Sequence, residues 1–366
     1  MNFDLSEEQD MFRAAVERFV QPVDTEFRRR LRAHANGYDR ARWSELAELG
    51  LLALAVDDAA GGMGGGPIDL ALVAEALGRG NAPDPWLENG VLPARILAAS
   101  GQQALLDQVL SGQSIVACAL AERSQRYSLI AKGMTARTQG DGFVLSGEKT
   151  FVLGGAMADW LVISADCGGE TALFLVPGDA AGLERRPYRL ADGSMACELR
   201  CLNVSLGSEA RLSLGLAGLL AIVDDVRLLA SAEMLGLAQR LFDDTLDYVK
   251  QREQFGVALG TFQALQHRLV ECYSALEQAR SMLYRAALAD HTDPVAWHRS
   301  CAGAKAFIGE QADQVAREAV QMHGGMGVTD ELAIGHAMKR VLLLSRLFGD
   351  ADSALAEYAA KFSEAA

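Results

Sequence analysis

The stretch Tyr248-Val-Lys-Gln-Arg-Glu-Gln-Phe-Gly256, followed by Val257-Ala-Leu-Gly-Thr-Phe-Gln263, decides how the rest of the chain is arranged. Upstream of it, apolar residues recur every three or four positions among aspartates, which is typical of a long helix with one buried face. Gly256 and Gly260 are expected to stop that helix, and Thr261 is a candidate cap for a second one. The sequence therefore predicts an antiparallel pair of long helices joined at this turn.

The predicted turn carries more functional groups than a connection needs. Arg252 has a permanently charged, planar guanidinium group, Gln254 and Gln263 have side-chain amides, and Phe255 has an aromatic ring. This set suits a phosphate and a flat heterocycle. A capped turn with solvated charges would also explain it, and on this stretch alone the two interpretations are equally supported.

Composition limits the kind of protein and its partners. The chain has 366 residues, 50% of them hydrophobic, and a net charge of −14. We therefore expect several substructures around a sizeable core, and neither nucleic acid nor an anionic membrane surface as a partner. The first eight residues lack the basic and apolar segments of a secretory leader, which favours the cytoplasm. The six cysteines and six histidines show no metal-ligand spacing, so no metal site is predicted.

The periodicity changes twice along the chain and predicts three domains. Residues 1–113 have the pattern of helices, beginning at a cap on Ser6, and residues 213–366 are helical again. Residues 114–212 form a series of short strands, which favours a compact antiparallel barrel or sandwich with a hairpin turn at Ser146-Gly147. Asp293-Pro294 is a good start for a further long helix that reaches Gln321. The predicted fold is mainly α with a central β domain.

This order of elements, together with its motifs, resembles the flavin-dependent acyl-CoA dehydrogenases over essentially the full length. The resemblance implies their fold: an N-terminal helical domain, an antiparallel β-barrel and a C-terminal four-helix bundle. It also implies α,β-desaturation of an acyl-CoA, with an electron-transferring flavoprotein as the acceptor. The residues that carry the resemblance are Arg252-Glu-Gln-Phe-Gly256, Phe262-Gln263, Gln321-Met-His-Gly-Gly-Met-Gly327 with Thr329, Gly147-Glu-Lys149 and Ala158-Asp-Trp160.

In that family FAD lies across a subunit interface, and its adenosine diphosphate half reaches the neighbouring subunit. A dimer is therefore implied, and a dimer of dimers is common. A guanidinium suits a pyrophosphate, an aromatic ring can cover a heterocycle, and glycines let the backbone approach phosphate or ribose. The resemblance assigns this role to Arg252, Phe255, Gln263, Gln321, Met322, His323, Gly324 and Gly325.

The glutamate that removes the α-proton in this family is missing from both of its usual positions. The position near the C-terminus is Gly349, and the alternative position on the helix after the β domain is Val226. Asp350 and Asp225 are the nearest carboxylates. A displacement by one residue turns a helical side chain by about 100°, and aspartate is shorter by one methylene. A helix-start acid or a solvated charge is therefore the favoured interpretation of both.

The contacts expected on the flavin side are altered as well. The family's loop Thr-Glu-Pro-Gly-x-Gly-Ser appears here as Ala121-Glu-Arg-Ser-Gln-Arg-Tyr127, and its Trp-x-Thr segment appears as Phe151-Val-Leu153. Leucine cannot hydrogen-bond a flavin atom. The losses therefore lie on the flavin side, whereas the adenosine-side motifs are intact.

Three functions follow as hypotheses. In the first, the chain completes the FAD site of a catalytic partner and has a weakened or empty site of its own. This looks like the α2β2 acyl-CoA dehydrogenases of bacterial steroid side-chain degradation. The second is a self-sufficient homo-oligomeric dehydrogenase whose base is Asp350 or Asp225. The third is a scaffold or binding protein that has lost flavin.

Overall fold

The computed structural model describes residues 5–21, 25–34 and 37–363. These residues belong to two compact units. The helical unit comprises Met1–Arg29, Gly66–Pro83 and Arg227–Ala366, and the mixed unit comprises Arg30–Gly65 and Asp84–Val226. The predicted fold class, mainly α with a central sheet, is confirmed. The division into three domains stays a prediction.

Eleven α-helices lie in the described residues, and none of them is both long and apolar enough to cross a bilayer. Two short helical turns, Leu259–Thr261 and Gly324–Val328, adjoin the candidate site. The helices are α1 (Glu7–Phe19), α2 (Thr25–Ala33), α3 (Arg40–Glu48), α4 (Pro67–Arg79), α5 (Leu92–Ala99), α6 (Gln103–Leu110), α7 (Leu216–Gln251), α8 (Gln263–Ala287), α9 (Pro294–His323), α10 (Ala333–Leu344) and α11 (Ala351–Ser363).

Local chemistry explains where the helices begin. Ser6 forms a reciprocal capping box with Gln9 at the start of α1, and the Asp293 carboxylate accepts backbone N–H groups at the start of α9. Both caps were predicted and are confirmed. The predicted cap at Thr261 is wrong, because Thr261 lies in a short helical turn and its hydroxyl donates to the carbonyl of Ala258.

Glycines allow two helices of the helical unit to approach closely. A Cβ at Gly78 of α4 would lie 2.1 Å from the carbonyl oxygen of Glu233, and a Cβ at Gly236 of α7 would lie 2.0 Å from that of Glu75. Such distances are too short for any side chain. The packing of α4 on α7 therefore depends on these two glycines, whose sequence signal was only their isolation within helical patterns.

The strands of the mixed unit form one seven-stranded sheet, in the order β1-β4-β2-β3-β7-β6 with β5 also paired to β4. β1 and β2 run parallel to β4, so the prediction of a purely antiparallel sheet is wrong at these two pairs. The chain between β1 and β4 includes two strands and is long enough for a parallel crossover. The strands are β1 (Val116–Ala119), β2 (Thr135–Gln139), β3 (Gly142–Leu153), β4 (Trp160–Cys167), β5 (Glu170–Pro177), β6 (Leu183–Arg189) and β7 (Met195–Leu206).

The predicted hairpin turn at Ser146-Gly147 is also wrong, because β3 continues through both residues. The pairing of β3 with β7 shifts register between Leu145 and Gly147. Gly147 has φ +139, and a Cβ there would lie 2.3 Å from the carbonyl oxygen of Gly133. A glycine at a bulge and a glycine at a turn give the same sequence signal, and only the strand pairing separates them.

Candidate functional site

The turn between α7 and α8 presents an aromatic side chain to solvent. After α7 ends at Gln251, the two-residue strands β8 (Glu253–Gln254) and β9 (Val257–Ala258) form a small hairpin. Phe255 lies at its tip with 92% of its surface exposed and with φ +56. Positive φ is uncommon for a residue other than glycine, and an aromatic ring this exposed forfeits the free energy of burial. Both features suggest a ring held ready for a contact.

Arg252 and Gln263 flank this hairpin, and both side chains are exposed. Among the described residues, the guanidinium of Arg252 has no ion-pair partner within 4 Å. Phe262, just before α8, packs edge-on against Phe255 with 6.3 Å between ring centroids. The turn therefore presents the guanidinium of Arg252, an amide and two aromatic rings. Together these groups can bind an anion that lies next to a planar ring.

The second candidate turn follows the end of α9. Gln321 and the glycine pair Gly324-Gly325 are exposed, and Gly324 has φ +61. A Cβ on either glycine would meet no atom within 4 Å. A ligand can therefore approach this backbone closely, as a phosphate or ribose requires.

Met322 and His323, in contrast, direct their side chains into the core. Met322 belongs to a buried cluster with Val249 and Leu269. The ring of His323 stacks on Tyr248, with 4.2 Å between centroids and 25° between planes. Its Nδ1 lies 2.8 Å from the carbonyl oxygen of Ala319, which identifies Nδ1 as the protonated nitrogen because a carbonyl can only accept. These two residues can shape the turn without touching a ligand through their side chains.

Gly349 lies in the turn between α10 and α11, where the backbone is in a region suited to glycine. Gly349 has φ +124, and Phe348 before it has φ +54. A side chain on residue 349 would be strained, and its Cβ would lie 3.6 Å from Nη2 of Arg227. The residue that the resemblance places at the usual position of the base therefore occupies a conformation that a glutamate would not readily adopt.

Lys305 of α9 holds this turn from inside the core. Its side chain is fully buried, and Nζ donates hydrogen bonds to the carbonyl oxygens of Ser345 (3.0 Å) and Gly349 (2.7 Å). Burial lowers the pKa of Lys305 to about 7, with a further lowering from Arg227 that Asp350 opposes. The sequence analysis missed Lys305, although its position within the apolar run of α9 was a signal.

Arg227 provides a second buried cation to the same turn. Its Nε donates to the carbonyl oxygen of Phe348 at 2.8 Å. Its two terminal nitrogens bind both carboxylate oxygens of Glu357, at 2.7 and 3.0 Å. Glu357 of α11 was also missed from the sequence. Side chains of the protein itself thus donate hydrogen bonds to three carbonyl groups of this turn.

The two candidate acids both have structural partners. The carboxylate of Asp350 accepts the backbone N–H of Ser353 at 2.9 Å, which caps the start of α11. Asp225 forms an ion pair with Arg95 within the mixed unit. Val226, at the other usual position of the base, is completely buried.

The loop 121–127 of the mixed unit also uses its carboxylate internally. Glu122 is buried and accepts the backbone N–H groups of residues 132 to 134, together with Nζ of Lys149 at 2.8 Å. Burial raises the pKa of Glu122, but these hydrogen bonds outweigh it and leave the pKa lowered. Lys149 is fully buried and also donates to Ser164, so the Gly147-Glu-Lys149 motif ends in a structural ion pair.

Comparison with known proteins gives similarities along nearly the whole chain. The models for the N-terminal, middle and C-terminal domains of acyl-CoA dehydrogenases match residues 6–113, 117–204 and 215–361. Acyl-CoA dehydrogenase IpdE2 of Mycolicibacterium smegmatis is 30% identical over 349 residues, which cover 94% of this chain and 96% of that protein.

Two solved structures are similar over almost their full length. A variant of the steroid ACAD Tcur3481–Tcur3483 has a TM-score of 0.87 and 30% identity, and the match covers 98% of each chain. The ChsE4–ChsE5 complex from Mycobacterium tuberculosis has a TM-score of 0.90 and 27% identity, and the match covers 100% of this chain and 99% of that one.

Proposed function

We propose that this chain, which belongs to the acyl-CoA dehydrogenase family, supplies the adenosine-side contacts to FAD in a heteromeric acyl-CoA dehydrogenase. The complex would desaturate an acyl-CoA between its α and β carbons, and the catalytic carboxylate would come from a partner subunit. The observation that carries the proposal is the contrast between the exposed turn around Arg252 and the internally satisfied turn around Gly349.

FAD is the cofactor of the proposed complex, and the helical unit fits its adenosine diphosphate half. Arg252 would pair with the pyrophosphate and Phe255 would cover a ring. Gln263 and Gln321 would offer amides, and the open backbone of Gly324-Gly325 would let phosphate or ribose approach. When bound, FAD supplies the acceptor for the hydride.

Among the described residues, neither of the family's two usual positions holds a base for the α-proton. A general base must come within hydrogen-bonding reach of the proton that it removes. Gly349 has no side chain, Asp350 caps α11, and Asp225 is paired with Arg95. These contacts support a role in which proton abstraction belongs to another subunit.

The loop 121–127 on the flavin side also supports catalysis by another subunit. The carboxylate of Glu122 in this loop accepts hydrogen bonds from Lys149 and from backbone N–H groups. The loop also lacks the glycines that would let its backbone approach a ligand closely. At the other flavin-side position, Leu153 cannot form a hydrogen bond through its side chain. We therefore propose that the chain's own flavin site is weakened or empty.

The partner is proposed to be a catalytic acyl-CoA dehydrogenase subunit in an α2β2 assembly. One similar structure is the ChsE4–ChsE5 complex and another is a steroid ACAD, which favours a steroid side-chain CoA as the substrate. An electron-transferring flavoprotein is the proposed acceptor.

Co-expression tests this proposal directly. The chain is purified alone and with the product of the neighbouring gene, and flavin absorbance, flavin stoichiometry and turnover of CoA thioesters are measured in each sample. We expect flavin absorbance and turnover of CoA thioesters only in the sample that contains the partner. Yellow protein and turnover from the chain alone would establish the self-sufficient enzyme instead, and absence of flavin from both samples would favour a scaffold.

A further inference from the structure

We propose that Tyr248 and His323 form a positioning pair that couples the two turns facing the adenosine half of FAD, an inference that rests on the proposed function. Tyr248 lies in α7, four residues before Arg252. His323 is the last residue of α9, immediately before Gly324-Gly325. Their rings stack with 4.2 Å between centroids and 25° between planes.

Two backbone hydrogen bonds connect Tyr248 to the first turn. The N–H of Arg252 donates to the carbonyl of Tyr248 at 2.8 Å, and the N–H of Leu259 donates to the carbonyl of Arg252 at 2.8 Å. The backbone of Tyr248 is therefore connected to Arg252 and, through Arg252, to the α7–α8 turn. A shift of residue 248 that moves its carbonyl group would be passed to Arg252 through this hydrogen bond.

His323 is connected to the second turn in a similar way. It is buried, and its Nδ1–H donates to the carbonyl oxygen of Ala319, which fixes the plane of the ring. The turn then folds back onto it, since a Cβ on Gly327 would lie 3.1 Å from the Cβ of His323. The backbone that follows Gly324-Gly325 therefore packs against the base of the His323 side chain.

A shared hydrophobic cluster supports the stacked pair. Val249 and Met322, the chain neighbours of the two rings, are buried against Leu269, and Leu259 of the first turn packs on the same cluster. The cluster therefore joins the two turns through buried and half-buried side chains. A site held rigid by such a supporting layer loses less entropy when its ligand binds.

The test uses the complex with the partner subunit. Tyr248→Leu, His323→Leu and the double variant remove the stack, and Tyr248→Phe keeps it. Tyr273→Leu is the matched control, because Tyr273 is a largely exposed aromatic residue of α8. The dissociation constant for FAD and the hydrogen–deuterium exchange of residues 252–262 and 324–328 are measured for each protein.

We expect each leucine variant to weaken FAD binding roughly 10-fold, and the double variant to be little worse than either single one, because the pair acts as a unit. Tyr248→Phe and the control Tyr273→Leu should stay within about twofold of the wild type. Exchange should rise in both turns when only one of the two residues is changed.

Three results would overturn the coupling: FAD binding unchanged in the leucine variants, losses that multiply in the double variant, or faster exchange confined to the turn next to the mutation. If the leucine variants do not assemble, His323→Asn keeps a donor for Ala319 without the ring and should show the same loss. A wild-type complex without FAD would instead refute the proposed function itself.

Discussion

The α7–α8 turn and the α10–α11 turn lie in the same helical unit, yet their polar groups are satisfied in different ways. In the first, Arg252 is exposed and has no ion-pair partner in the described part of the chain, and Phe255 projects into solvent. In the second, carbonyl groups of the turn bind the buried cations Lys305 and Arg227. Groups left unsatisfied at a surface are available to a ligand, whereas groups satisfied internally serve the fold. Under the proposed function, the first turn would contact FAD, whereas the second serves the fold.

The largest effect is expected from Arg252→Ala, which should abolish flavin retention by the complex. A forked pair of charge-assisted hydrogen bonds to pyrophosphate is lost, at about 3 kcal/mol or more, or at least roughly 100-fold in affinity. Equilibrium dialysis of FAD against the complex measures it. Arg285→Ala, an exposed arginine near the other end of α8, is the control and should bind normally. Normal flavin content in the Arg252→Ala complex would contradict the proposal that the exposed α7–α8 turn binds FAD.

The next effect concerns the pH dependence of stability. Lys305 has a pKa lowered to about 7 in the folded protein, so between pH 7 and its ordinary pKa the unfolded chain binds more protons. The free energy of unfolding should therefore receive a contribution from Lys305 that rises with pH across this window, by a few kcal/mol in total. Lys305→Met should remove that rise, as measured by denaturant unfolding at pH 6 to 10.

Lys132→Met is the matched control for this measurement, because the Lys132 side chain is exposed. It should leave the pH profile of the wild type unchanged. A profile that is equally steep in the wild type and in Lys305→Met would show that Lys305 does not titrate in this window.

A smaller effect is expected from Gly349→Glu, which restores the family's residue at the usual position of the base. The positive φ of this residue should cost about 1–3 kcal/mol of stability, and the lone chain should still not desaturate acyl-CoA. Gly349→Ala carries the strain without the charge, so the two variants should lose similar amounts in thermal unfolding. Turnover by Gly349→Glu alone would mean that the turn can still present a base.

The smallest effect is expected from Asp350→Asn. Asparagine caps helices about as well as aspartate, so stability should change by less than about 0.5 kcal/mol and turnover of the complex should be nearly intact. Steady-state rates and melting temperatures provide the check. Loss of turnover with flavin still bound would identify Asp350 as a base, and the self-sufficient enzyme would return as the better hypothesis.

The sequence predicted the features that depend on local chemistry. The caps at Ser6 and Asp293 and the long helices around the α7–α8 turn were found because their signals lie within a few residues. The parallel pairing of β1 and β2 with β4 depends on contacts distant in sequence, and no short pattern encodes it. The bulge at Gly147 was mistaken for a turn for the same reason.

The candidate site shows the same limit. The Gln321–Gly327 motif identified Met322 and His323 but not the direction of their side chains. Val315, Ala319 and Met322 are buried at helical spacing, and this pattern could have shown that Met322 faces the core. Lys305 and Glu357 escaped attention because a single charged residue in a helix is usually solvated. Their roles emerge only when the α10–α11 turn is seen beside them.

The backbone at Gly349 makes the absence of the acid difficult to reverse. A substitution of Gly349 by glutamate would place a long side chain on a backbone that favours glycine, before any catalytic benefit could be gained. The turn would have to be rebuilt first, and that would disturb the contacts of Lys305 and Arg227. Under the proposed function, descendants of such a chain would therefore stay dependent on a partner, even while the rest of the sequence continued to diverge.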